Sequence, residues 1–186
     1  MLRSVIISGP PAIGKTTVAK GLAEEFNLKH LSGGDILKEM AEDEGFSSKG
    51  DDWWDTEDGM NFLNKRKTNS EFDKKVDQKL QGYFQLGNVV ITSYTLPWLV
   101  NDGIKLWLSG SFENSAKRMK NRDNVTELDA LKVVKKRFEE NQEIYKSLYN
   151  FEFGEDLSVF DKIINTDDLN AEEVLDIAKS TVRELF

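Results

Sequence analysis

The stretch GPPAIGKT, residues 9–16, decides the fold of this chain, because it matches the pattern G-x-x-x-x-G-K-[ST] at every defined position. The apolar run VII precedes it at 5–7, and a helical pattern follows at 18–26. A strand, a glycine-rich turn and a helix in that order form a loop whose backbone N–H groups and helix N-terminus bind phosphate oxygens. The sequence therefore predicts a phosphate-binding loop rather than an incidental turn.

The residues of this loop have distinct expected roles. Lys15 should reach the β- and γ-phosphates of a nucleotide, and the hydroxyl of Thr16 should bind Mg²⁺. Thr16 is therefore the predicted metal ligand. The predicted nucleotide-binding residues are Gly9, Pro10, Pro11, Ala12, Ile13, Gly14, Lys15, Thr16 and Thr17.

Composition narrows the possible partners of the protein. With 186 residues, the chain is long enough for one domain with its own core. It has 33 acidic and 25 basic residues, a formal net charge of -8, and no cysteine. This balance argues against a general nucleic-acid-binding surface, so local cations must hold a phosphorylated substrate. Because no apolar run reaches about 18 residues, we expect neither a membrane span nor a signal peptide.

Strand and helix patterns alternate along the rest of the chain. Further short strands are predicted at 29–32, 89–91, 104–108 and 163–165. Helical periodicity is found at 72–84, 112–122 and 126–149, and Asn170 with Glu173 begins a terminal helix. Gly33 and Gly34 are interpreted as a turn, and a helix is expected to open at Asp35. The alternation predicts an α/β fold with a five-stranded parallel sheet flanked by helices on both faces.

A phosphate loop occurs in switch GTPases, motor ATPases and small-molecule kinases, so other motifs must separate these classes. The guanine-reading pattern N-K-x-D is absent, and no strand ends in four apolar residues followed by Asp. Instead, the second strand ends in SGGD at 32–35, followed by two apolar residues and Lys38. This arrangement is typical of a kinase.

Five stretches carry a resemblance to a known family. SGGDILKEMA resembles the S-x-G-D-hydrophobic-hydrophobic-R stretch of nucleoside monophosphate kinases. GNVVI, KRMKNRD, RFEENQEIYKSLY and DLSVFDKIINT resemble the third strand, the start of the lid, the lid-closing helix and the D-L-S-x-[YF]-D-x-x-I-N-T segment of archaeal-type cytidylate kinases. The chain is similar to this family over most of its length, and least similar at 45–69.

The resemblance implies a single-domain P-loop kinase fold with a mobile substrate-binding arm at 35–86 and a short lid at 118–137. It implies transfer of the γ-phosphoryl group of ATP, with Mg²⁺, to CMP or dCMP. The catalytic cations would be Lys15, Arg118, Arg122 and Arg137. The implied protein is a cytoplasmic monomer with no membrane or nucleic-acid partner.

Acceptor binding is expected on the arm and after the third strand. The predicted acceptor-binding residues are Ser32, Asp35, Lys38, Arg66, Asp73, Asp77, Ser93 and Tyr94. Asp73 and Asp77 share a helix face, and either carboxylate could accept from a cytosine amino group, although a solvated face is an equal alternative. Asp35 could instead be a plain helix cap. Lys38 stands where the family has Arg, so it keeps the charge without the bidentate fork.

The largest departure from the family lies after the third strand. The family reads V-V-hydrophobic-E-G-R there, with the Arg on the acceptor phosphate, whereas this chain reads VVITSY at 89–94. Three explanations are open: Arg66 or Lys65 supplies the charge, Ser93 and Tyr94 donate hydrogen bonds, or the acceptor is not CMP. The alternative functions are accordingly a kinase of AMP or of a non-nucleotide alcohol, and a nucleotide-binding regulatory ATPase.

Aromatic and histidine side chains have structural interpretations at this point. Trp53, Trp54 and Trp98 are interpreted first as packing residues, with base stacking as the alternative. His30 lies in a strand pattern and is interpreted as structural.

Overall fold

The structure is a computed structural model that describes residues 4–46, 71–123 and 125–186, except for the side chain of Arg122. The strands are β1 (Ser4–Ser8), β2 (Lys29–Ser32), β3 (Val89–Thr92), β4 (Ile104–Ser109) and β5 (Lys162–Asn165). The helices in these ranges are α1 (Lys15–Phe26), α2 (Gly33–Asp43), α3 (Glu71–Leu86), α4 (Leu96–Leu99), α5 (Phe112–Asp123), α6 (Glu127–Tyr149) and α7 (Ala171–Leu185). The predicted alternation of strands and helices is confirmed.

All five strands form one parallel sheet in the order β2-β3-β1-β4-β5. β1 is central, with Ile7 opposite Thr92 of β3 and Ser8 opposite Trp107 of β4. In a parallel sheet the carboxyl ends of neighbouring strands lie at one edge, which is where such folds bind ligands. The phosphate loop and the turn after β3 are therefore neighbours in space.

The sheet is covered on both faces, as its sequence pattern predicts. Successive strand residues point to opposite faces, so Val5 and Ile7 pack in a cluster with α1 and α7, whereas Ile6 packs in a second cluster with α2 and α3. All three side chains are fully buried. The core therefore lies in two layers that hold β1, and with it the phosphate loop, in a fixed position.

Helices α5 and α6 form a pair that packs beside the sheet. Ala116 and Met119 of α5 meet Ala130 and Val134 of α6 in a small buried cluster. The start of α6 is fixed by Thr126, whose side chain accepts a hydrogen bond from the backbone N–H of Asp129. This helix pair covers the segment that the family resemblance assigns to the lid.

One local prediction was wrong. Gly33 and Gly34 lie inside α2 instead of forming a turn, because Ser32 caps the helix and exchanges hydrogen bonds with Asp35 in a capping box. The sequence gives no signal for the short helix α4, because four residues are too few to show a helical period. Pro97 near its start is compatible with a first helical turn.

We expect Gly9→Ala to destabilise the fold. A Cβ atom at Gly9 would lie 2.4 Å from the carbonyl oxygen of Leu108, and its φ of +146° is one that side chains rarely adopt. The free energy of unfolding should fall by about 1–3 kcal/mol in urea denaturation.

Gly82→Ala is the matched control for this substitution. Gly82 is exposed in the interior of α3, and a Cβ atom there would meet nothing within 4 Å. Because alanine favours a helix, the free energy of unfolding of this variant should rise by about 0.5–1 kcal/mol. Equal losses in the two variants would contradict the assignment of a packed, strained backbone to Gly9.

Candidate active site

The loop between β1 and α1 has the backbone geometry of an anion site. Gly9, Ala12 and Gly14 all have positive φ angles, of 146°, 57° and 103°. Gly14 is the N-cap of α1 and supplies no side-chain hydrogen bond. The first N–H groups of a helix lack partners within the helix, so an anion at this end can bind them. The geometry agrees with the predicted phosphate loop.

The side chain of Lys15 folds back into the loop. Its Nζ donates to the carbonyl oxygens of Gly9, at 2.9 Å, and Pro10, at 2.6 Å. The same Nζ lies 4.6 Å from the centre of the Tyr94 ring, so the turn after β3 contacts the ammonium directly. Thr16 and Thr17 are exposed in the first turn of α1. A hydroxyl on Thr16 and the ammonium on Lys15 are groups that suit a Mg²⁺-nucleotide.

Burial and, to a smaller extent, the charge of Arg137 lower the pKa of Lys15 from 10.5 to about 7. Arg137 itself is exposed on α6. Two positive charges therefore act at the loop, and among the residues that the structure describes no carboxylate forms an ion pair with Lys15. A polyphosphate entering the loop would supply the missing negative charge.

The structure describes the side chains of two of the three arginines predicted for the lid, and these two differ in their surroundings. Arg137 contributes charge at Lys15. Arg118 on α5 donates from Nη2 to the carbonyl and hydroxyl oxygens of Thr166, at 3.1 and 3.3 Å, and its buried Nη1 has no hydrogen-bond partner among the described residues. The side chain of Arg122 lies outside the described part of the chain. The catalytic roles of these arginines stay predictions.

The segment after β5 forms a set of polar contacts with the start of α5 that was not among the predicted site residues. Asp167 accepts hydrogen bonds from the backbone N–H of Ser111, at 2.8 Å, and from Nδ2 of Asn114, at 2.8 Å. These hydrogen bonds keep the pKa of Asp167 below its usual value. A Cβ at Gly110 would lie 2.8 Å from the Thr166 hydroxyl. The residues INT at the end of the family-like segment DLSVFDKIINT were the available signal.

On the acceptor side, several predicted residues already have structural partners. The Ser32 hydroxyl and the Asp35 carboxylate bind each other at 2.7 Å, as the cap alternative anticipated. The Ser93 hydroxyl accepts from the backbone N–H groups of Thr95 and Leu96, at 3.2 and 3.1 Å. Lys38 is half-buried on α2.

The two carboxylates expected to read a base are in different environments. Asp73 is half-buried, whereas Asp77 is only 5% exposed. Asp77 accepts hydrogen bonds from the hydroxyls of Thr95, at 2.5 Å, and Tyr149, at 2.6 Å. Arg66 lies outside the described residues. A shared helix face therefore does not give these two residues the same role.

Trp98 packs against other aromatic rings instead of lying open for a base. Its ring stacks on Phe151 at 4.3 Å between centroids and meets Trp107 and Phe160 edge to face. His30 is half-buried, and burial lowers its pKa. Both agree with the structural interpretations, whereas Trp53 and Trp54 lie outside the described residues.

A phosphate loop at the carboxyl edge of a five-stranded parallel sheet, with a lysine inside it and an arginine charge beside it, defines a P-loop kinase-type protein. The chain belongs to the cytidylate kinase-like family, which matches residues 4–168. The cytidylate kinase of Sulfurisphaera tokodaii is 35% identical over 95% of this chain and 93% of its own. That of Methanocaldococcus jannaschii is 31% identical over 97% and 98%. The predicted family is confirmed.

Solved structures support the fold. The shikimate kinase of Aquifex aeolicus superposes with a TM-score of 0.59 at 18% identity, covering 98% of this chain and 97% of its own. An uncharacterized protein from Eubacterium ventriosum superposes with a TM-score of 0.64 at 21% identity, covering 97% and 98%. Among the helices that the structure describes, none is long and apolar enough to cross a membrane.

We expect the stability of the nucleotide-free protein to depend on pH through Lys15. Its pKa is about 7 in the folded chain, against 10.5 ordinarily. Between these values the unfolded chain binds a proton that the folded chain does not, so the free energy of unfolding increases with pH. Between about pH 7 and about pH 10, the free energy of unfolding of wild type should increase relative to that of Lys15→Met, as measured by denaturation at each pH.

Lys20→Met is the matched control, because Lys20 is exposed on the same helix. The two variants remove the same charge, but only one removes the ammonium from the loop. An equal pH trend for both variants would show that the effect does not come from Lys15.

Proposed function

We propose that this protein is a cytidylate kinase that transfers the γ-phosphoryl group of ATP to CMP or dCMP. The observation that carries the proposal is the placement of the Lys15 ammonium inside the phosphate loop, with the charge of Arg137 beside it. The relatives named cytidylate kinase, which match over nearly the whole chain, support the choice of acceptor.

The reaction requires two polyanions to meet in line. A phosphate oxygen of the acceptor attacks the γ-phosphorus, the bond from that phosphorus to the β,γ-bridging oxygen breaks, and ADP leaves. Catalysis of such a step is mainly positioning and charge neutralisation. On binding ATP, Lys15 would exchange its two carbonyl acceptors in the loop for phosphate oxygens.

The remaining cations would complete the phosphoryl site. Arg137, whose charge acts on Lys15, would act with it, and Arg118 and Arg122 on α5 would join them on closure of the α5–α6 pair. Mg²⁺, held in part by the Thr16 hydroxyl, would neutralise charge on the transferred group. Exclusion of water by closure would prevent hydrolysis, which competes with transfer.

Acceptor recognition would use the region between α2, α3 and the turn after β3. Lys38 and Arg66 are the proposed cations for the acceptor phosphate, which would compensate for the missing family Arg at 92–94. Asp73 is proposed to accept from the cytosine amino group. The cytoplasmic location and the monomeric state remain predictions.

A coupled assay with ATP and each of CMP, dCMP, UMP, AMP and GMP tests the proposed function. CMP or dCMP should give the highest kcat/KM, and UMP should be poorer because it presents a carbonyl where cytosine presents a donor. A preference for AMP, or transfer only to a non-nucleotide alcohol, would refute the assignment and would make the departure at 92–94 evidence for another acceptor.

We expect Lys15→Ala to abolish phosphoryl transfer in a folded protein. The lysine would compensate charge that grows in the transition state, and loss of such a contact costs at least about a hundredfold in kcat. Lys20→Ala, from the exposed face of α1, should keep its activity. Turnover of Lys15→Ala within about tenfold of wild type would contradict the role given to the loop.

A further inference from the structure

Three parts of the fold meet at the carboxylate of Asp77. Asp77 lies on α3, and its Oδ1 accepts a hydrogen bond of 2.5 Å from the hydroxyl of Thr95, in the turn after β3. Its Oδ2 accepts a hydrogen bond of 2.6 Å from the hydroxyl of Tyr149, the last residue of α6. The carboxylate thus joins α3, the turn after β3 and the C-terminal end of α6.

The environment of Asp77 fixes these contacts. The residue is 5% exposed, so removing either hydroxyl leaves a buried carboxylate oxygen with one donor fewer, which is costly. Burial and the hydrogen bond to Asp77 raise the pKa of Tyr149 well above its usual value, so its hydroxyl stays protonated and donates. Asp77 is therefore engaged by hydroxyl groups on both of its oxygens.

The turn that Asp77 holds carries the residue that contacts Lys15. The hydroxyls of Thr95 and Ser93 lie 3.2 Å apart, and the Ser93 hydroxyl accepts from two backbone N–H groups of the turn. Tyr94 lies between these two residues, with its ring 4.6 Å from the Lys15 ammonium. Hydrogen bonds thus fix the backbone on both sides of Tyr94.

We propose that Asp77 is a positioning residue for phosphoryl transfer, which ties α3 and the end of α6 to the turn that places Tyr94 against Lys15. The inference rests on the proposed function and deepens it. It also assigns different roles to the two aspartates of α3. Asp77 organises the site, whereas Asp73, one helical turn away and half-buried, would recognise the cytosine amino group.

Tyr149→Phe and Thr95→Val test the proposal, because each removes one hydroxyl and keeps the shape of the side chain. Both variants should lower kcat with CMP by at least about fivefold, since the turn no longer fixes Tyr94 at Lys15. Their ratio of kcat/KM for CMP to that for UMP should stay within about twofold of wild type. The double variant should lower kcat by less than the product of the two single fold-changes.

Thr95→Ser and Tyr83→Phe are the controls. Thr95→Ser keeps the hydroxyl and should restore most of the activity that Thr95→Val loses. Tyr83 also donates its hydroxyl to a carboxylate, that of Glu39 at 3.2 Å, but its ring contacts Lys29 at the start of β2, at the opposite edge of the sheet from the turn after β3. Tyr83→Phe should therefore keep the kcat of wild type.

Two kinetic results would overturn the proposal. One is unchanged kcat in both Tyr149→Phe and Thr95→Val. The other is a collapse of the CMP to UMP ratio in Asp77→Asn that neither hydroxyl variant shares, because that pattern belongs to a carboxylate that reads the base.

Hydrogen exchange separates this inference from the proposed function. Tyr149→Phe should speed amide exchange in the turn at 93–96, which is far from residue 149 in sequence, whereas Tyr83→Phe should not. If wild type phosphorylates no nucleoside monophosphate, the proposed function fails, and exchange still decides whether Asp77 organises the turn. Unchanged exchange in Tyr149→Phe would refute the positioning role.

Discussion

The rest of the site depends on one constraint, which is the placement of a lysine ammonium inside the phosphate loop, where no carboxylate of the described residues contacts it. Lys15 is held by two backbone carbonyls and an aromatic face, and burial brings its pKa to about 7. Backbone carbonyls carry only partial charges, so they stabilise an ammonium less than a full anion does. The loop is therefore preorganised for a phosphate, which would restore the full charge of Lys15.

This local arrangement explains how a chain with a net charge of -8 can attract polyanions. Local fields act over about a Debye length, some 8–10 Å at ordinary ionic strength, so the cations at the loop matter more than the total charge. On the acceptor side, hydrogen-bond donors bind the carboxylates of Asp35 and Asp77. Asp35 accepts hydrogen bonds in a helix cap and Asp77 in an internal network, so donors already offset part of each negative charge.

Most of the fold was predictable from sequence because its signals are local. GPPAIGKT specified strand, loop and helix, and the apolar runs specified the parallel strands around it. The wrong prediction was also local: because glycine favours turns, the sequence predicts a turn at Gly33 and Gly34, but the reciprocal hydrogen bonds of Ser32 and Asp35 start the helix there. The site was less predictable. Asp73 and Asp77 look equivalent in sequence, and only the tertiary contacts of Thr95 and Tyr149, which are distant in the chain, distinguish them.

The most direct test of this account is an NMR titration of the Lys15 side chain, with Lys15→Met used to assign its signal. In the free protein the ammonium should titrate near pH 7, in line with the pKa of about 7 that burial gives it. With ATP bound, phosphate oxygens should replace the loop carbonyls, and the signal should stay in its charged form beyond about pH 9. Titration of Lys15 at the same pH with and without ATP would contradict the claim that this ammonium is the phosphate-binding group on which the site is built.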